Sequence, residues 1–166
     1  MQNAKDSFYM CLRERLAALN PERTCVLRGS VRPGVVVEEA ESPFAQPPDN
    51  VFVLRWCAMG VDAELALNMT AMECEIAYGT CGSQSFGGLD RGRAMAAMDA
   101  ELASMLQPGS AAKTDYTVNP PAPMLTTIFW DEPVFTPIAT QRDRQSRTAR
   151  VMVYSYQEPS EQERDA

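Results

Sequence analysis

Three segments of this chain, VFVLRWCA at residues 51–58, AMECEIAYG at 71–79 and ARVMVYSY at 149–156, change character at every second side chain. A period of two belongs to a strand with one face on a core and the other toward water. Antiparallel sheets tolerate such a wet face, whereas parallel sheets are covered on both sides. In the first segment Phe52, Leu54 and Trp56 share one face, and Val51, Val53, Arg55 and Cys57 the other. Arg55 reads as an arginine at a sheet edge, its stem packed and its head in water. In the second, Met72, Cys74, Ile76 and Tyr78 oppose Glu73 and Glu75. A mainly antiparallel, half-solvated sheet follows.

Two stretches carry helical spacing. Phe8, Leu12, Leu16 and Leu19 form one apolar stripe, with Asp6 or Ser7 as the expected cap and Asn20-Pro21 as the stop. Met95, Met98, Leu102, Met105 and Leu106 form a second, starting near Asp90 and ended by Gln107-Pro108-Gly109. RGSVRP predicts a short hairpin or bulged turn between flanking strands. Val35, Val36 and Val37 lack alternation, so their strand is expected in the middle of the sheet. SPFAQPPDN at 42–50 must be a loop, since proline gives no amide to a ladder. GVDAELALNM at 60–69 fits either a helical turn or a hairpin extension. Residues 110–127 are poorly patterned, with one edge strand expected around 116–118.

The predicted fold is α+β: a mixed, mainly antiparallel sheet with two packed helices in a single layer on one face. Residues 1–156 read as one domain. The acidic stretch 157–166 lacks aromatic and β-branched residues and is expected to be a disordered tail.

Histidine is absent, which removes Ser-His-Asp, Cys-His and His-zinc chemistry. The five cysteines include no C-x-x-C pair and suit reduced, structural thiols. CGSQSFGGLD precedes the second helix but has neither G-x-G-x-x-G nor a G-K-[ST] ending, so it reads as a linker rather than a phosphate cradle. Cys81 within it would be the nucleophile if the chain were a thiol enzyme, without a histidine partner. Glu73 and Glu75 lack a third ligand type for a metal. The expectation is therefore no catalysis, no cofactor and no metal. A net charge of −7 speaks against general nucleic-acid binding. No apolar run approaches a membrane span, and Arg13 and Arg15 interrupt the first apolar stretch, so a cytoplasmic product is expected.

Against this acidic background, TPIATQRDRQSRTARVMVYSY places Arg142, Arg144, Arg147 and Arg150 just before the last alternating strand. The order of elements, with the opening FYMCLRERLAALNP, the middle LDRGRAMAAMDAELASML and the closing RTARVMVYSY, resembles the tail terminator (tail-completion) proteins of long-tailed bacteriophages, of the lambda type. The resemblance implies a structural virion protein: a ring, a hexamer in that family, that caps the tail tube, ends its growth and offers a head-tail joining surface. The implied partners are other copies of the chain, the tail tube protein and a head-completion or neck protein. The implied place is the tail-neck junction, after assembly in the bacterial cytoplasm. A related neck adaptor or injection-machine subunit is the alternative.

A ring of identical subunits needs head-to-tail seams, and arginine grips carboxylates with a planar fork. Arg142, Arg144 and Arg147 are the candidate interface residues, meeting an acidic surface such as Glu38, Glu39 and Glu41 or that of a tube or neck protein. A solvated hairpin tip and contact with DNA passing through the ring are the other readings.

Overall fold

The computed structural model describes residues 1–38, 47–62, 64 and 67–162. The interface candidates Glu39 and Glu41 lie outside them. Helix α1 (Gln2–Leu19) leads into a hairpin of β1 (Thr24–Leu27) and β2 (Ser30–Pro33). Its two-residue turn holds Arg28 and Gly29 at φ 50 and 79, the positive φ pair that matches the twist of the flanking strands. Strands β3 (Val35–Val37), β4 (Phe52–Asp62) and β5 (Met69–Thr80) follow. After helix α2 (Arg91–Met105) come β6 (Gly109–Asp115), β7 (Ala122–Trp130), β8 (Val134–Phe135), β9 (Ala139–Gln141), β10 (Arg144–Tyr156) and a single helical turn, α3 (Pro159–Gln162).

The main sheet runs β3-β4-β5-β10-β7-β6. Only β3 and β4 pair in parallel. The thirteen-residue β10 lies against β5 on one side and is served in turn by β9, β8 and β7 on the other. The fold class is α+β with a mixed, mainly antiparallel sheet, as the alternating segments predict.

The core lies between one sheet face and α1 and α2. Phe8, Leu12 and Leu16 of α1, and Met95, Met98 and Leu102 of α2, pack on Leu54, Met72, Ile76, Tyr78, Ile128, Val151 and Val153. Phe8 stands edge-on to both tryptophans, with centroids 5.8 Å from Trp56 and 5.6 Å from Trp130. The α1 end is tied to α2 by Glu101, whose carboxylate accepts from Arg23 Nε and Nη2 at 2.7 Å each and from Asn20 Nδ2 at 2.9 Å. A small cluster of Val36, Val51 and Val53 with Cys25 and Leu27 fills the opposite face under the β1–β2 hairpin.

Several expectations are corrected. Val35 and Val36 are covered on both faces, but β3 is at the sheet's edge; the β1–β2 hairpin supplies the second cover. Ser7 does not cap α1. It sits inside the helix, where its Oγ donates to Asn3 O at 2.6 Å and accepts the Thr114 amide of β6 at 2.9 Å. Residues 116–118 form a turn, not an edge strand, between β6 and β7; apolar Leu125, 95% exposed, blurs the alternation in the first part of β7. Of the stretch 60–69, Gly60, Val61 and Asp62 extend β4 as in the hairpin-extension reading, with Asp62 paired to Met69, and residues 63, 65 and 66 lie outside the described residues.

The disordered tail is also corrected as far as it is described. Gln157, Glu158 and Glu161 are buried. Glu161 accepts from Lys113 Nζ at 2.7 Å, and Glu158 Oε1 accepts the Thr126 amide at 2.8 Å. An acidic segment can dock without apolar side chains when it meets buried donors, and composition does not show those donors. Residues 163–166 lie outside the described residues.

Candidate assembly surface

Strand alternation splits the arginine cluster. Arg144 and Arg147 belong to β10 itself rather than to the loop before it, and only Arg142 and Asp143 form the β9–β10 tip. Arg147 falls on the helix side of the sheet. Its Nη1 donates to Asp99 of α2 at 2.9 Å and its Nε to Thr136 O at 2.6 Å, while its guanidinium lies over Phe135. Tyr78 Oη donates to the other oxygen of Asp99. Burial first, and then that bond to a carboxylate, push the Tyr78 hydroxyl well above its ordinary range. Arg147 therefore fastens β10 to α2.

Arg144 and Arg150 lie on the opposite, outer face. Arg144 pairs with Asp49 and donates from Nη2 to Pro47 O at 2.8 Å. Its path crosses Gly79, where an added β-carbon would stand 2.6 Å from Gln145 O and 2.9 Å from Arg144 Nη2. Gly79→Ala is expected to cost about 1–3 kcal/mol as an overpacking change and to free Arg144 from Asp49. A thermal-unfolding double-mutant cycle with Asp49→Ala should show the two sites coupled; strict additivity would sink this account of Gly79.

Arg150 Nε and Arg55 Nη2 donate to the two oxygens of Glu75, at 3.0 and 2.6 Å. The Arg55 bond is the first cause holding the Glu75 carboxyl below its usual range. Glu38 shares an open cleft of about 200 Å³ with Arg55, Glu75, Val53, Ala77 and Thr148. Within one subunit, and among the described residues, no ion pair joins it to Arg142, Arg144 or Arg147. Among the described residues, ion pairs hold Arg144, Arg147 and Arg150 but not Arg142, which is exposed with φ 55.

Cys57, at a register shift between Trp56 and Ala58, lies on this outer face with Arg55, as the alternation predicts. The potential ligand atoms of Cys57, Glu73 and Glu75 lie within 4.8 Å of one another. The third ligand type that the sequence did not show beside the glutamates is thus supplied by the pairing of β4 with β5. Burial, then a hydrogen bond with Glu75, push the Cys57 thiol up, and Glu75 is already held by two guanidiniums. The cluster is built as a hydrogen-bonded ion-pair surface.

The remaining candidates resolve as packing. All five cysteines are free thiols. A hydrogen bond with Asp49, then burial, raise the Cys81 thiol above its ordinary value, the opposite of what a nucleophile needs. The loop before α2 folds on itself: the Ser83 amide donates to Asp90 Oδ1 at 2.8 Å, the Gly82 amide to Thr80 Oγ1, and the Phe86 and Gly88 amides to Ser83 O. No helix among the described residues is long and apolar enough to cross a membrane.

No protein-family model matches the sequence, and no curated protein matches it significantly.

Proposed function

We propose that this chain is a structural virion protein of the tail-terminator kind, closing into a ring, a hexamer by analogy with that family, at the end of a phage tail tube. There it ends tube growth and presents a surface to a head-completion or neck protein. The observation that carries this reading is Arg142. Three of the four arginines are used inside the subunit, whereas the fourth stands exposed on a tight hairpin tip, without an ion partner among the described residues. A subunit with a net charge of −7 offers acidic surface for such a tip to meet on a neighbouring copy or on a tube or neck protein. The layered α+β core and the internally neutralised charges support a rigid building block.

The seam residue is narrowed accordingly. Arg147→Glu would break the tie to Asp99 and so confuse folding with assembly. Arg142→Glu leaves the described contacts intact and is expected to change folding stability by no more than about 0.5 kcal/mol. Sedimentation should show the parent protein as a closed ring and the Arg142→Glu variant as smaller species, with Arg142→Asn intermediate. Indistinguishable profiles for all three would remove the tip from the seam.

A further inference from the structure

The two ends of the sheet are finished differently. At the β6 end, Lys113 is turned inward and fully buried, a bulge breaks the register between Ala112 and Thr114, and α1 takes up an edge amide through Ser7. These are devices that keep an edge from pairing with another chain. At the other end, among the described residues, β3 covers only residues 52–54 of β4. All six residues from 57 to 62 are exposed, on both faces of the strand. Met59 is 53% and Val61 48% exposed, and residues 57–62 contain neither lysine nor proline to blunt the edge.

This edge is complementary to itself when run antiparallel. Arg55, 59% exposed, stands at one end, with Asp62 and Glu64 at the other. Met59 and Val61 oppose Met72 and Thr70 on β5 and so share the helix-side face. Ala58, Gly60 and Asp62 alternate to the outer face. With a twofold axis through Gly60, Met59 of one copy lies opposite Val61 of the other, twice. Arg55 of each copy then approaches the acidic end of its mate, and at the dyad no side chain obstructs the backbone. A parallel pairing would set like charges together.

We propose that a second copy of this chain pairs antiparallel with β4 over residues 58–62, about a dyad at Gly60, joining the two sheets. The contact is isologous and separate from the head-to-tail seam of the ring reading, and it does not depend on that reading.

The test uses the full chain. Light scattering after size exclusion, over a wide concentration range, should show association through this edge, and Val61→Lys should abolish it while circular dichroism and melting stay unchanged. In a Cys57→Ser background, Gly60→Cys should cross-link copies symmetrically on oxidation, whereas Val26→Cys, on an exposed strand elsewhere, should not. A chain monomeric at every concentration overturns the pairing. So does association that ignores Val61→Lys and yields no cross-link through position 60. A ring that forms without that cross-link overturns the β4 pairing alone, and a cross-linked pair with no ring supports it while counting against the ring.

Discussion

Glu161→Ala is expected to destabilise the protein by about 3–5 kcal/mol, because it leaves a buried ammonium without its counter-charge. Lys113 is fully buried, and its three donors are met by Glu161 Oε2 at 2.7 Å, Tyr156 O at 2.6 Å and Ser155 Oγ at 3.2 Å. The lysine comes from β6, two acceptors from the end of β10 and the carboxylate from α3. This ion pair joins the Glu158–Thr126 bond in holding the C-terminal turn to the sheet. For a domain of this size, each kcal/mol shifts the melting temperature by about 2–4 °C, so the drop should be on the order of 10 °C. Lys113→Met combined with Glu161→Leu should recover much of the loss, since it removes both charges. A melting temperature unchanged in Glu161→Ala would mean that the turn is not docked as described.

The same pair predicts an acid response. Burial pushes the Glu161 carboxyl up, but the Glu158 amide and Lys113 outweigh it, and the net direction is down. Glu101 behaves alike: burial raises it, and Arg23 and Asn20 more than offset that. A carboxyl depressed on folding stabilises above its unfolded pKa, and that stabilisation is lost as pH falls through the folded value. Stability should therefore decline with acid below the ordinary glutamate range, about pH 4.3, and the Glu161→Ala curve should be flatter there.

Phe8→Ala is the second large effect, expected at about 3–5 kcal/mol for a buried aromatic truncated without room for collapse. Phe8 is 1% exposed and wedged between Trp56 of β4 and Trp130 of β7, which lie on opposite sides of the central β5–β10 pair. The tryptophans are themselves braced: Lys5 lies 5.6 Å over Trp56, Arg15 lies 5.1 Å over Trp130, and Trp130 Nε1 donates to Gln107 O at 2.9 Å. The cavity would thus persist. Chemical denaturation should show a lower midpoint with an unchanged slope, and tryptophan fluorescence should report the altered site. A loss under about 1 kcal/mol would place α1 outside the core.

What the sequence made legible was periodicity. The β4, β5 and β10 segments and the stripes of both helices follow from side-chain spacing, because one face of each meets the core. Residues whose partners are distant in sequence were not legible. Lys113 looks like a surface lysine until Glu161, 48 positions on, is beside it. Nor does a count of arginines reveal that Arg147 and Arg150 fall on opposite faces. That follows only once β10 is known to begin at Arg144, which its polar first half hides. The triple valine does not reveal the edge position of β3, because burial on both faces does not require a central place when a hairpin covers the second face. The face of Cys57 follows from alternation, but its nearness to Glu73 and Glu75 follows only from the pairing of β4 with β5.

The central claim, a subunit built to cap a tube through protein contacts, is tested most directly by imaging. The tail-tube protein of a long-tailed phage would be polymerised with and without the chain and viewed by negative-stain electron microscopy. The account predicts a ring at one end of each tube and growth arrested at that end. Tubes that lengthen equally in its presence, with bare ends at every concentration, would contradict it.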